Sequence, residues 1–439
     1  MENSSEPVAT LYWFDQDLRL DDNPALDLAI CGASTLLCLY CHGPAVCDVD
    51  TFGTERQGDL RQRFIERGLD QLSANLQRYG QSLMQVSGSA TTILPQLIEQ
   101  YQIQRILRSR HFGHFEVRGW EQLQHAHPSV EFIEAEGYTL FTREQVSGIG
   151  TLPQTFSRFR RLVERMPVAE PLEQRPFPPP PSLPETLPQS QADLSALPDA
   201  HYQGGEAAAM NHVNDYFASQ SPSSYKQTRN ELDGWSSSSK MSPWLASGCL
   251  SVRRLYQRLK HYEADHGAND STYWLFFELL WREYFQWYAL QHAEKLFLPG
   301  GISGGKPDYA FDRGRFDDWC KGETRWPLVN ACMQQLNQTG YLSNRARQIV
   351  ASALVNELAL DWRCGAGYFE KQLIDYDVAA NWGNWQYIAG VGADPRGGRH
   401  FSIEKQARQF DADGRYVANW LTSQVRPDRT RSRRDTQEA

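Results

Sequence analysis

Several features are missing from this 439-residue chain, and each absence removes a class of answer. No apolar run approaches the roughly 20 residues needed to span a bilayer, so no membrane helix is expected. Positive charge is not in excess: 44 Lys and Arg stand against 53 Asp and Glu, for a net charge of −9. That excludes a surface coated in cations for sequence-blind duplex binding, while leaving room for a local basic groove. The opening MENSSEPVAT lacks the basic-then-apolar layout of a signal peptide, and the expected location is cytoplasmic. The 8 cysteines form no disulfide framework. Cys38-x-x-Cys41 has redox spacing but sits inside STLLCLYCHG, which reads as a strand, whereas a redox pair opens a helix. Buried thiols in a reducing compartment are the expectation, with no metal site.

Residues 8–136 alternate short apolar runs with helical patterns. The strand candidates are VATLYWF, TLLCLY, SLMQV, RILRS and VEFIEA, and Pro24 after Asn23 marks a helix start. Such alternation predicts an α/β domain over 1–136, with a parallel, Rossmann-like sheet. The first strand is followed by DQDLRLDDN, not by Gly-x-Gly-x-x-Gly, so the phosphate-cradling turn of a dinucleotide fold is absent there. Residues 137–205 read as a connector, proline-rich over 166–200. From 206 to 421 the pattern is helical and rich in Trp, a larger all-α domain, and 422–439 reads as a disordered tail. Aromatic residues make up 12%, more than packing requires, and such rings also stack on planar ligands.

Three groups of residues carry possible chemistry. In STYWLFFELLWREYFQWYALQHA, Trp274, Glu278, Trp281, Arg282 and Phe285 recur every three or four residues and share one helix face. Glu278 and Arg282 form an i,i+4 pair, which reads either as a helix ion pair or as a buried acid able to donate a hydrogen bond to a carbonyl. Asn344, Arg347 and Gln348 share a second face, and Asp375, Asp377 and Asn381 lie in DYDVAANWGNWQYIAG, which fits neither a clean strand nor a clean helical period. Together they suit the edge of a flat heterocycle, or else serve as turn caps. Tyr225, Ser238, Ser239, Lys240 and Ser242 precede a helical pattern, where they can cap the helix or hold a pyrophosphate.

These stretches carry a resemblance. WFDQDLRLDDNPAL, SSKMSPWLASGCLS, WREYF, TGYLSNRARQIVAS and DWRCGAGYFEKQLIDYDVAANWGNWQYIAGVGADPR resemble the photolyase/cryptochrome family, within it the cryptochrome DASH branch, as does LPQTFSRFRRLVE. The resemblance spans nearly the whole chain in order. It implies a non-covalent FAD, folded in a U inside the helical domain, which accounts for the missing glycines. Tyr225, Ser238, Ser239, Lys240 and Ser242 would hold its phosphates and ribityl chain. Glu278, Arg282, Asn344, Arg347, Asp375, Asp377 and Asn381 would surround its rings, with the amide of Asn381 where photolyases stabilise reduced flavin and plant-type photoreceptors carry Asp.

The resemblance further implies electron transfer through Trp385 and Trp362, with Tyr309 in place of the third family Trp. Glu278, Trp281, Asn344, Gln348 and Tyr387 would face the substrate. Asn344 stands where enzymes for the (6-4) photoproduct carry His, which favours the cyclobutane pyrimidine dimer. Gln348 and Tyr387 replace more apolar residues of duplex-acting enzymes, which favours single-stranded DNA. Arg229 and Arg345 would contact phosphate. Glu116 would help hold a methenyltetrahydrofolate antenna. The implied activity is light-driven dimer repair by a deoxyribodipyrimidine photo-lyase acting as a monomer; the alternative is a blue-light photoreceptor that binds nucleic acid. Asp15, Asp22 and Asn330 depart from the family pattern, which usually has Arg, His and Asp there.

Overall fold

Side chains along the first two strands alternate between two cores, and that alternation builds the sheet. The computed structural model describes residues 8–43, 50–173, 175–181, 202–305, 309–393 and 397–422. Strands β1 (Val8–Phe14), β2 (Ala33–His42), β3 (Leu83–Ser87), β4 (Arg105–Ser109) and β5 (Glu131–Ala135) form one parallel sheet in the order β3-β2-β1-β4-β5. Leu11, Leu37 and Leu39 pack on one face, with Ile106 and Trp120. Tyr12, Phe14, Leu36 and Cys38 pack on the other, in a core continuous with the helical domain. Both faces are covered, so the strands read as apolar runs, not as alternating ones. Cys38 and Cys41, three apart, fall in opposite cores and cannot pair, and burial pushes both thiols up to about 12. The first helix, Pro24–Ile30, starts where the sequence predicts, with the Asn23 side chain accepting from Leu26 N–H.

The connector is not bare chain. It holds the helices Arg143–Ser147 and Phe156–Val163. Residues 166–173 and 175–181 have neither helix nor strand, and the rest of the proline-rich stretch up to 201 lies outside the described residues. So does the expected disordered tail from 423 onward. The helical domain runs from Glu206–Ala218 to Arg415–Thr422. Its spine is the 23-residue helix Asp270–His292, opened by a capping box on Asn269 and apolar nearly all round because neighbours cover it on most sides. Among the described residues no helix is long and apolar enough to cross a membrane.

Buried polar clamps fasten the domains together. Arg19, 1% exposed, donates to the carbonyls of Gly137 (2.7 Å) and Gly248 (2.9 Å). Asp22 accepts from Ser251 and from the guanidinium of Arg253, so a carboxylate has a cation waiting at this departure from the family pattern. Asn330 uses both ends of its amide on Thr324, donating to its carbonyl (2.8 Å) and accepting from its N–H (2.9 Å), which a carboxylate cannot do.

Glu283, fully buried on the spine helix, accepts from the backbone N–H groups of Leu140 (2.9 Å) and Phe141 (3.3 Å) and from the Trp287 indole (2.8 Å). Burial pushes its carboxyl up to about 7, against those donors. The folded value therefore lies above the unfolded one of about 4.3. The stability that Glu283 contributes is full below about pH 4 and is lost as pH rises towards about 7, a change on the order of 3–4 kcal/mol. Melting temperature is expected to fall across that window, and Glu283→Gln to flatten the fall. An equal slope in the variant would assign the effect elsewhere.

Candidate functional site

Two adjoining cavities, about 330 and about 210 Å³, lie inside the helical domain. Arg229, Glu278, Arg282 and Asn344 border both. The stretch from Asp375 to Gly390 resolves into a turn and a helix, Val378–Ala389, with Asp377 as its N-cap accepting from Ala380 N–H (2.8 Å). Its period was illegible because Val378, Ala379, Asn381, Gly383 and Trp385 are buried on several sides at once. A Cβ on Gly383 would come within 2.3 Å of the Phe285 ring, so the spine helix can approach this closely only over glycine.

In the larger cavity Arg347 donates to Asp375 Oδ2 (2.7 Å) and to the Leu342 carbonyl (2.9 Å). Asp375 Oδ1 is buried without a hydrogen-bond partner. Asp377 takes a second bond from Gln286. Asn381 donates its amide N–H to the Ala366 carbonyl (3.0 Å), which leaves its amide oxygen for the cavity. Gln348, Trp281 and Tyr387 complete the wall. Trp281 stacks on Phe156 (3.7 Å) and Phe285 (5.5 Å) and meets Tyr387 edge-on at 6.2 Å. The phenol oxygen of Tyr387 accepts from Arg399, a residue that no sequence pattern ties to it.

In the smaller cavity Tyr225, Ser238, Ser239, Lys240 and Ser242 come together. The serines do not cap the following helix: Met241 occupies the cap position of Ser242–Ala246, and no side chain bonds there. The cue for an anion is Lys240 itself. It is 7% exposed, has a left-handed φ of 54°, and sits with its ammonium 4.8 Å from the centroid of the Tyr341 ring. Among the described residues no carboxylate lies within ion-pair distance of it, so a buried cation is left for a ligand to neutralise.

The expected Glu278–Arg282 pair does not form. Arg282 donates to the carbonyls of Tyr138 and, at 3.5 Å, Leu245, drawn off by backbone that the helix alone cannot reveal. Glu278 pairs instead with Arg229, from Ser221–Thr228's C-terminal cap. Burial raises the Glu278 carboxyl above its ordinary value, with Arg229 opposing. Arg345 lies nearby, its guanidinium over the Phe410 ring (5.0 Å) and its Nε buried without a partner; burial and Arg229 lower its pKa. Two guanidiniums with so little counter-charge suit a phosphate backbone.

A buried acid with one open oxygen, an unneutralised lysine and a carbonyl-bearing amide thus line one bent space, which suits a dinucleotide with ring N–H groups and a pyrophosphate. Residues 10–181 match the DNA photolyase family, and residues 274–431 match the FAD binding domain of DNA photolyase. Cryptochrome DASH of Idiomarina loihiensis is 47% identical over 93% of this chain and 92% of its own, and that of Vibrio parahaemolyticus 45% over 93% and 92%. The chain belongs to the photolyase/cryptochrome family, in its cryptochrome DASH branch. The crystal structure of a Synechocystis cryptochrome superposes with a TM-score of 0.89 at 37% identity, covering 95% of this chain and 89% of that one. A class III photolyase from Agrobacterium tumefaciens gives 0.81 at 26%, over 96% and 88%. FAD is the cofactor of this photolyase/cryptochrome chain, and the groups that line the two cavities suit it.

The aromatic residues expected to feed electrons are placed unevenly. Trp385 borders the larger cavity and is 2% exposed. A Cβ on Gly365 would fall 2.3 Å from its ring, so glycine permits the contact. Trp362 is fully buried, donates its indole N–H to the Pro299 carbonyl (3.0 Å), and has Trp382 as ring neighbour at 5.7 Å. Tyr309 is part-buried against the same core.

A further cavity of about 560 Å³ lies between the sheet and the helical domain, bordered by Trp13, Asp15, Tyr40, Glu116 and Phe297. His111 points its buried, unpartnered Nε2 towards Asp15, 3.8 Å away, and burial raises the Asp15 carboxyl. Tyr376, between Asp375 and Asp377, borders this cavity as well as the larger one in the helical domain; sequence reasoning missed it.

Proposed function

We propose that the chain uses light to split cyclobutane pyrimidine dimers in single-stranded DNA. The observation that carries this reading is Glu278, a part-buried carboxyl that borders both cavities beside Trp281 and Asn344, with its pKa raised by burial against the pull of Arg229. Bound and reduced, FAD supplies a light-excited electron donor. The residues of the chain do the rest. Tyr225, Ser238, Ser239, Ser242 and Lys240 hold the phosphate side, while Arg282, Arg347, Asp375 and Asp377 fix the rings. The Asn381 oxygen accepts a ring N–H. When DNA arrives, Arg229 and Arg345 turn to its phosphates, and Glu278, released and protonated, donates a hydrogen bond to a dimer carbonyl as negative charge develops there. Asn344 and Gln348 offer neutral amides to the dimer edge.

The preference for single strands follows from the walls. Trp281 already stacks on Phe156 and contacts Phe285, and Tyr387 is tied to Arg399, so less stacking energy is available to offset extrusion of a dimer from a duplex. Trp385, Trp362 and Tyr309 carry electrons inward to recharge the cofactor. In the cavity between the domains, Glu116 and Asp15 suit the amino and ring N–H groups of a folate, and methenyltetrahydrofolate is the proposed antenna.

Reduced, illuminated protein mixed with dimer-containing oligothymidine is expected to restore thymine absorbance, about tenfold faster on single strands than on duplex. Equal rates would remove the strand preference, and no recovery on either would remove the repair reading.

A further inference from the structure

The ring environment of Trp385 contains a neighbour that the family's electron route does not use. Its two closest aromatic partners are Phe369, at 5.1 Å, and Trp319, edge-on at 6.3 Å and 73°. A phenyl ring is too hard to oxidise to relay a hole, whereas an indole is not. Trp319 is fully buried, and its N–H donates to the Val350 carbonyl at 3.0 Å, which fixes the ring. Tyr368 follows at 5.7 Å, half-buried, its phenol donating to Asn337 Oδ1 at 2.7 Å. The route through Trp362 also ends at a tyrosine, Tyr309, so each branch finishes on a phenol that sheds its proton as it is oxidised.

We propose that Trp319 is a second electron donor to Trp385, opening a branch Trp385–Trp319–Tyr368 beside the one through Trp362. The step is a transfer of single electrons with no bond made between residues. Trp385 gives one electron to bound FAD. Trp319 returns one to Trp385, and Tyr368 returns one to Trp319 while its phenolic proton leaves to water. A thiol in solution restores Tyr368 with one electron and one proton, and two of the resulting thiyl radicals close to a disulfide. The inference rests on the FAD site alone and stands or falls apart from dimer repair.

The test is flash photolysis of the full-length, FAD-loaded protein with added thiol, following the tryptophan radical absorption and its lifetime. Trp319→Phe is expected to lower the long-lived radical about twofold, as is Trp362→Phe, and the double variant about tenfold, more than either alone because the routes are parallel. Bound-flavin absorbance and melting temperature show whether each variant is intact. Should Trp319→Phe lose its flavin, Tyr368→Phe in the Trp362→Phe background decides: faster recovery of oxidised-flavin absorbance after the flash, because the hole can no longer move on from Trp319, supports the branch. Radical yields in Trp319→Phe equal to those of its parent, with and without Trp362, overturn it, as does an unchanged flavin recovery rate in the Tyr368 variant. A wild-type protein that takes up no FAD fails the cofactor assignment instead.

Discussion

Asp375→Ala is expected to strip FAD from the protein and to lower its stability by about 3–5 kcal/mol. The Asp375 side chain is 2% exposed and forms the ion pair that neutralises Arg347, while its other oxygen is buried without a partner. Removing the acid leaves a guanidinium enclosed and uncompensated, and also deletes the acceptor that faces the cavity. Asp375→Asn keeps the shape but not the charge, and should fall between wild type and Ala. The measurements are the flavin retained through gel filtration and the denaturant midpoint of the cofactor-free protein. Full retention of FAD in Asp375→Ala would mean that Asp375 is a purely structural partner of Arg347.

Glu278→Ala should lower the repair yield about tenfold or more while FAD stays bound. Among the described residues common to both cavities Glu278 is the acid, and burial, which raises its pKa, favours the protonated, hydrogen-bond-donating form once Arg229 turns away. Affinity for single strands should hold or rise, because Arg229 loses its internal partner and becomes fully available to phosphate. This split separates the proposed role from a simple loss of fold: bound flavin and DNA binding kept, quantum yield lost. A yield equal to wild type would remove Glu278 from the chemistry. Glu278→Gln, which can donate but not ionise, should recover part of the loss.

Much of the fold could be read from the chain because its signals are local. Asn23–Pro24 starts a helix by a side-chain cap and a preset φ, and the strands announce themselves as apolar runs. The site was legible by another route. Its residues come from segments more than a hundred positions apart, and only the length of the matching motifs tied them together. Reasoning within one helix paired Glu278 with Arg282, since spacing shows neighbours on the same cylinder. It cannot show that carbonyls of Tyr138 and Leu245 lie within reach of the arginine, or that Arg229 arrives from elsewhere. Arg399 on Tyr387 and the double exposure of Tyr376 stayed invisible for the same reason.

Tyr376 belongs to the wall of the cavity suited to FAD and to the wall of the one between the domains. A molecule pressing on that ring from one room alters the fit of whatever occupies the other. Thermodynamic reciprocity then fixes the size of the effect: the factor by which one guest tightens or loosens its neighbour is the factor by which the neighbour acts back.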